Sequence, residues 1–236
     1  MFCTDCININ TLEYKAPESN RSGGKVVKVS TVPGSVEWKD RIRFQMSEDN
    51  ETNLQHAVWG LGTPLAGQDP SRRTLELTVE SPDLAVFLDN LDQKNIDCAV
   101  KHSTEWFKKA LEPDAIKNMY VKMHKEPSKE GQKSTVRVKV KCGDYPTNIF
   151  IVQSTEDGSL QYTKGTHDDL ARNVKCLVMA ESAGLWFMSR QFGMSLTATD
   201  ILVWPNRRAT GIEAFTMNNV TPKKAAANTE EMEIEF

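Results

Sequence analysis

Thr135-Val-Arg-Val-Lys-Val-Lys141 alternates apolar and cationic residues from Val136 to its end. Successive side chains of a β-strand point to opposite faces, so this pattern places three valines on one face and three cations on the other. The cations are Arg137, Lys139 and Lys141. Valine is also enriched in strands, because its branched side chain packs well on a pleated surface. The stretch therefore predicts a strand with one face in a core and one face in solvent.

Further strand-like segments lie on both sides of this stretch, separated by turn-forming residues such as Pro33-Gly34 and Glu156-Asp157-Gly158. The predicted strands cover residues 25–32, 41–46, 73–79, 147–152, 173–180, 184–188 and 195–204. Ser81-Pro82-Asp83 is typical of a helix start, and apolar residues then recur at helical spacing. We predict a mainly β fold with a helical insertion at about residues 82–120, built as an antiparallel β-barrel or sandwich.

The chain divides by composition into three parts. Residues 1–24 end in a polar, glycine-containing run, which predicts a flexible N-terminal arm. Residues 25–220 hold all of the predicted strands and helices and form one domain. Residues 221–236 combine an alanine-containing linker with an acidic tail, whose acids are Glu230, Glu231, Glu233 and Glu235 and whose last residue is Phe236. Such a tail cannot bury itself, because its glutamates repel and it is too short for a core.

Charge and cysteine content bound the class of protein. The net charge is −3, but the four tail glutamates supply more than this, and residues 1–229 carry +1. Cys3 and Cys6 form a CxxC pair with no second pair to complete a zinc site, so we expect no metal. No apolar run approaches 18 residues and no secretory leader opens the chain. We therefore expect an intracellular protein without a membrane segment.

Enzyme signatures are weak throughout the chain. Neither GxxxxGK[ST] nor GxGxxG occurs, and the four histidines stand in isolated polar contexts. Asp168-Asp169 follows Thr166-His167 and fits a helix cap better than a catalytic pair. We expect no enzymatic activity and no cofactor. A magnesium-dependent nuclease stays open as a minor alternative.

Cations and aromatic residues together favour single-stranded nucleic acid. The three cations of residues 135–141 would stand about 6–7 Å apart along a strand, close to the phosphate spacing of an extended single strand. Bases stack on aromatic side chains while cations follow the backbone. The secondary candidates are aromatic residues with nearby cations: Trp106, Lys108, Lys109, Trp186, Arg190, Trp204, Arg207 and Arg208. A cationic strand face is also a common solvated surface, and each tryptophan alone fits a core position. Phe107 and Phe187 are better core candidates than their tryptophan neighbours.

The acidic tail gains a role beside such a basic face. A tethered acidic peptide can occupy a cationic groove at high effective concentration until nucleic acid displaces it. The displaced tail can then dock on a partner protein, with Phe236 as the anchor.

Three stretches resemble a known family: Trp106-Phe107-Lys108-Lys109, Val136-Arg-Val-Lys139, and Gly184-Leu-Trp-Phe187 with Phe192-Gly193. Together with the tail, they make most of residues 70–236 similar to the single-stranded DNA-binding proteins of short-tailed phages and large eukaryotic DNA viruses. The resemblance implies an OB-type barrel that coats single strands in replication, recombination and repair. It also implies a homodimer, and a tail that contacts replication proteins such as the polymerase and helicase/primase. A viral member would act in the host nucleus or at a cytoplasmic replication site.

One alternative from another class remains. A β-rich viral structural or assembly protein would use the tryptophans as core residues and the tail as a packing signal.

Overall fold

The computed structural model describes residues 7–20, 23–35, 37–47, 53–64, 69–127, 129–155 and 157–206. The strands are β1 (Glu13–Tyr14), β2 (Glu18–Ser19), β3 (Lys25–Ser30), β4 (Ile42–Gln45), β5 (Gln55–Leu61), β6 (Arg72–Thr78), β7 (Tyr120–Val121), β8 (His124–Lys125), β9 (Thr135–Lys141), β10 (Asn148–Ser154), β11 (Leu160–Lys164), β12 (Lys175–Phe187) and β13 (Phe192–Trp204). The helices are α1 (Pro82–Lys101), α2 (Ser103–Phe107) and α3 (Pro113–Met119). No helix in this part of the chain is long and apolar enough to cross a membrane.

Five strands close into a ring in the order β5–β6–β9–β13–β12, and β12 returns to β5 through Cys176 and Gln55. Every neighbouring pair is antiparallel except β9 with β13, which run parallel at Val138 and Leu196. This is the five-stranded Greek-key arrangement of an OB-type barrel. The predicted mainly β barrel with a helical insertion is confirmed. The sequence pattern did not indicate the parallel pair within the ring.

The alternating stretch forms β9 and supplies the centre of the core. Val136, Val138 and Val140 are fully buried, while the residues between them are exposed. Val138 lies opposite Leu75 of β6 on one side and Leu196 of β13 on the other, and both leucines are buried. The strand predicted from the alternation is therefore confirmed, and it is shared by both halves of the ring.

Some of the predicted strands differ from those in the structure. The segments 173–180 and 184–188 belong to one long strand, β12, because Glu181 and Ser182 pair with Thr197 and Leu196 of β13 between two register shifts and do not form a turn. β5 has no counterpart among the predicted strands. Its inward position Gln55 is polar and fully buried, and its side-chain Nε2 donates to the carbonyl of Met46 at 2.8 Å, while its Oε1 has no hydrogen-bond partner among the described residues. A buried amide at that position hides the alternation that marks a strand.

The prediction of a flexible arm is wrong for residues 7–20. β1 and β2 both pair with β3, and Leu12 is buried in the core. The Tyr14 hydroxyl donates to Asn95 Oδ1 of α1 at 2.7 Å. The polar composition of residues 1–24 predicted no packing, but Leu12 and Tyr14 bury apolar surface against the core. Residues 1–6, including Cys3 and Cys6, lie outside the described residues.

A buried carboxyl group ties the helical insertion to the barrel. Asp92 of α1 is 1% exposed, and it accepts hydrogen bonds from the Tyr120 hydroxyl at 2.6 Å and the Met123 amide at 3.0 Å. Asn95 also donates to the Tyr120 hydroxyl at 2.9 Å. Burial raises the pKa of Asp92 to about 6, and its two hydrogen bonds offset only part of that effect. These bonds hold the short strands β7 and β8 against α1.

Because the pKa of Asp92 is raised, we predict that this residue contributes less to the stability of the folded state as the pH rises. The folded state keeps the Asp92 proton up to about pH 6, whereas the unfolded chain releases it near pH 4. The folded state binds more protons in that window, so its stability decreases as pH rises through it. The difference in unfolding free energy between wild type and Asp92→Asn should fall by up to about 3 kcal/mol between pH 4 and 7.

Urea unfolding at a series of pH values measures this difference. Asp97→Asn, an exposed change on the same helix, is the matched control. A difference between wild type and Asp92→Asn that does not change with pH would contradict the assignment.

Candidate nucleic-acid interface

The outer face of β9 carries a cationic row of Arg137, Lys139 and Lys141, all exposed as the alternation predicts. Arg72 of β6 lies opposite Lys141 and is also exposed. The row therefore extends across two neighbouring strands, because antiparallel partners on one face have their Cβ atoms about 5 Å apart. We call this surface, made by the outward residues of β6 and β9, the cationic face.

One carboxylate interrupts the cationic face. Glu76 lies opposite Arg137, and the Arg137 Nε donates to Glu76 Oε2 at 3.0 Å. Arg137 remains 64% exposed in this pair. The Lys139 ammonium donates to Ser195 Oγ at 3.3 Å. Partial burial lowers the pKa of Lys139, and the nearby charge of Arg72 lowers it further. The face thus holds cations at two different levels of solvation.

Trp59 borders the cationic face on the β5 side. It is 66% exposed, and the Arg172 guanidinium carbon lies 5.1 Å from the centre of its ring. A cleft of about 300 Å³ joins Trp59 to Arg72, Arg73 and Arg137. The cation lies over one face of the indole ring, and the exposed remainder of the ring can stack on a planar ligand. Sequence reasoning missed Trp59, because the strand that carries it was missed.

A bulge at Gly60 directs Trp59 outward. Ala57 pairs with Leu77 and Leu61 with Leu75, so β5 uses more residues than β6 over this interval. Gly60 has φ +76°, and a Cβ there would lie 2.9 Å from the Leu170 carbonyl oxygen. Only glycine fits this conformation and this close approach. Glycine inside a strand-like segment, as in Trp59-Gly-Leu-Gly62, is the signal that could have found the bulge.

Trp186 borders the cationic face on the other side. It lies near the end of β12 and lines an open cleft of about 570 Å³ between β9, β7–β8 and the β12–β13 connection. Met188 in that connection is 70% exposed and lines the same cleft. Arg190 lies in this connection and is also exposed. Arg137 lines both clefts, so they adjoin across β6 and β9.

The prediction that Trp106 contacts nucleic acid is wrong for this conformation. Trp106 is 1% exposed and packs against Tyr14, His102 and Phe187, with ring centroids 5.6–6.0 Å apart. No face of its indole is open to a base. Phe187 and Phe107 pack against the core, as predicted.

The remaining predicted residues lie away from the cationic face or outside the described residues. Lys108 and Lys109 are exposed after α2, beside the aromatic cluster that holds Phe187. Phe187 and Trp186 are neighbours on β12, so they point to opposite faces of the strand. Trp204 is half-buried at the end of β13 and lines neither cleft. Arg207, Arg208 and residues 221–236 lie outside the described residues.

In the described ranges, no group of three or more histidine, cysteine, aspartate or glutamate side chains is placed to hold a metal ion. The pair Asp168-Asp169 forms a short 3₁₀ turn, in which the Asp169 carboxylate accepts from the Thr166 amide at 2.7 Å. This is the capping role predicted for it.

The fold and the site define an OB-type barrel with a cationic outer face bounded by two tryptophans. Residues 65–215 match the model of a family described as a family of unknown function (DUF5871), and the chain belongs to that family. No curated protein matches the sequence.

Solved structures with weak overall likeness include single-stranded DNA-binding proteins of two bacteriophages. The C-terminally truncated protein of bacteriophage Enc34 is 8% identical with a TM-score of 0.41, over 85% of this chain and 99% of that one. Protein gp2.5 of bacteriophage T7 is 9% identical with a TM-score of 0.44, over 70% of this chain and 93% of that one. Both TM-scores are below 0.5, so neither likeness carries an argument about function.

The Gly60 bulge predicts a specific stability difference between two glycines. Gly60→Ala places a methyl group against backbone atoms at 2.9 Å, whereas Gly158, at a similar φ of +82°, has nothing within 4 Å. Gly158→Ala should cost about 1–2 kcal/mol for its backbone conformation alone. Gly60→Ala should cost about 1–3 kcal/mol more, because of crowding. Chemical unfolding of both variants measures the difference, and equal losses would contradict the role of close approach at Gly60.

Proposed function

We propose that this chain binds single-stranded DNA without sequence preference, across the cationic face between Trp59 and Trp186. One observation carries the proposal: an exposed row of cations on β9 has a tryptophan-lined cleft on each side. In OB-type barrels, the second and third strands and the loops after the first and fourth strands bind oligonucleotides. Here those elements are β6 and β9 with the β5–β6 and β12–β13 connections.

The geometry favours a single strand over a duplex. Alternate residues of a strand are about 6–7 Å apart, so the three cations of β9 can follow successive phosphates of an extended backbone. The indoles of Trp59 and Trp186 need the flat face of an unpaired base, which a duplex hides within its stack. Phosphates and base faces are common to all four nucleotides, so this mode of binding tolerates any sequence.

Salt-dependent titration tests the proposal. Labelled oligo-dT should bind at low salt, and its affinity should fall steeply as salt rises. Lys139→Ala and Lys141→Ala should each reduce the slope of log K against log salt by about 0.7, because one phosphate contact is lost. Lys101→Ala, at the end of α1 and lining neither cleft, is the matched control. Absence of binding at low salt would overturn the proposal.

We propose that the protein acts by binding and not by catalysis, so the oligonucleotide should be recovered at full length after incubation with magnesium. Cleavage would contradict this part of the proposal. A parallel titration with oligo-rU measures the preference between DNA and RNA.

Glu76 supplies a prediction of opposite sign. Its carboxylate lies within the cationic face and pairs with Arg137 at 3.0 Å, so it competes with phosphate for that cation. Glu76→Gln should therefore tighten oligo-dT binding several-fold at low salt and steepen the salt dependence. Glu105→Gln changes the net charge equally but lies on α2, away from both clefts. Equal effects of the two variants would show that overall charge, rather than the position of Glu76, controls affinity.

We further propose that the acidic tail competes with DNA for the cationic face. This proposal is supported by the charge pattern: residues 230–236 contain four glutamates, whose charge is opposite in sign to that of the cations of β9. A tethered segment acts at high effective concentration, so a chain ending at Thr229 should bind oligo-dT more tightly at low salt. Unchanged affinity would exclude competition by the tail.

The wider role follows from the same proposal. Coating of single strands would serve replication, recombination and repair, and a tail displaced by DNA would be free to recruit replication proteins. Removal of Phe236 alone should weaken such partner binding without changing DNA affinity, if the aromatic residue and the acids have separate tasks. Sedimentation of the full chain and the chain ending at Thr229 measures whether it forms a homodimer and whether the tail affects it.

A further inference from the structure

The cleft beside Trp186 has an apolar interior and a cationic mouth. Its volume is about 570 Å³, and its apolar lining comes from four places in the chain. These residues are Val121 and Met123 at β7–β8, Val138 of β9, Trp186 of β12 with Met188 just after it, and Met194 and Leu196 of β13. The cations at this cleft are Lys122, Lys125, Arg137 and Lys139, and no aspartate or glutamate of the described residues lines it. The cleft therefore fits a ligand with a flat or apolar part joined to negative charge.

Strands outside the five-stranded ring build one wall of this cleft. β7 pairs with β13 at Phe192 and Gly193, and β8 pairs with β9 at Val136. The Met123 amide between them is held by the buried carboxylate of Asp92 at 3.0 Å. The wall is thus fixed to both the barrel and α1, which makes the cleft a formed site rather than a gap between loops.

Gly193 allows Trp186 to lie against the strand. A Cβ at Gly193 would lie 2.7 Å from the Val121 carbonyl oxygen and 3.2 Å from Trp186 Cζ2. The lack of a side chain therefore brings β7 and the indole close together. Met188, 70% exposed, lines the same cleft with its thioether, a flexible group that packs favourably against aromatic rings.

We propose that this cleft receives one unstacked nucleobase of the bound strand, an inference that rests on the proposed function. The base would lie against Trp186, and Met188 would cover it. Arg137 and Lys139 at the mouth would hold the phosphates on either side of that nucleotide. Lys139 is placed for this task because its ammonium already donates to Ser195 Oγ at 3.3 Å, within the lining of the cleft.

The proposal distinguishes the two ends of the cationic face. Trp59 is open to solvent and can stack on a base that stays in line with its neighbours. The cleft at Trp186 is bounded by β7–β8 and can take a base only when the base leaves the stack. A strand whose bases stack weakly loses less free energy when one base leaves the stack. A flexible strand of thymidines should therefore bind better than a strand of stacked adenines.

A strand with one base tests the subsite. A fully abasic deoxyribose-phosphate oligomer and the same oligomer carrying one thymine are compared on Trp59→Ala protein, so that the open indole does not contribute. The ratio of the two affinities measures base insertion, because differences in phosphate binding cancel. The thymine should tighten binding about tenfold. Adding Ser195→Trp, which fills the cleft, should abolish that gain.

Thr163→Trp on β11 is the matched control, because it adds the same side chain away from the cleft and should keep the gain. An equal gain in the Ser195→Trp protein, or no gain in the Trp59→Ala protein, would overturn the subsite while leaving strand binding intact. Failure of both oligomers and of oligo-dT to bind at low salt would overturn the proposed function instead.

A second measurement does not depend on the folding of a variant. Wild-type protein is photocrosslinked to an oligonucleotide that carries a single 5-iodouracil, and the attached residue is identified by mass spectrometry. Attachment to Trp186 or Met188 supports the subsite. Attachment confined to Trp59 contradicts it.

Discussion

The burial of three valines on one side of β9 is the constraint on which the structure depends. β9 is the strand that joins the antiparallel half of the ring, through β6, to the parallel contact with β13. Val138 must therefore pack beside Leu75 and Leu196 at the same time. A shift of one residue would turn the valines into solvent and bring Arg137, Lys139 and Lys141 into the core. The same alternation that closes the barrel thus fixes the cationic face, and stability and binding surface follow from one pattern.

Two glycines supply what the regular strands alone cannot. A regular strand presents the same spacing along its length, which suits a row of phosphates but forms no enclosed site. Gly60 breaks that regularity next to Trp59, whereas Gly193 stays in register opposite Trp186 and contributes by lacking a side chain. One glycine permits a bulge that exposes Trp59, and the other permits the close approach that seats Trp186. The face therefore combines a repeating centre with two individually shaped ends.

The parts of this arrangement that are local in sequence were predictable, and the parts that depend on distant contacts were not. The alternation of β9 and the cap of α1, where Ser81 Oγ accepts from the Leu84 amide, are set by neighbouring residues. Trp106 follows the opposite rule. Lysines follow Trp106 in the sequence, which is also the pattern expected of a tryptophan that binds nucleic acid. Its burial, however, depends on Tyr14 and Phe187, about 80–90 residues away. β7 and β8 have two residues each, too few to show any period.

Glu76 explains how the cationic face is tolerated in the free protein. Cations on neighbouring strands repel: the pKa of Lys139 is lowered by partial burial and, to a smaller extent, by the charge of Arg72. A carboxylate paired with Arg137 offsets part of this repulsion without being buried in the core. If the face binds DNA as proposed, a phosphate must replace a carboxylate rather than enter an empty site. Each such exchange returns less free energy than a new ion pair, because one pair is lost as another forms. At Arg137, binding of this kind is therefore weaker and more reversible than at a cation without a carboxylate partner.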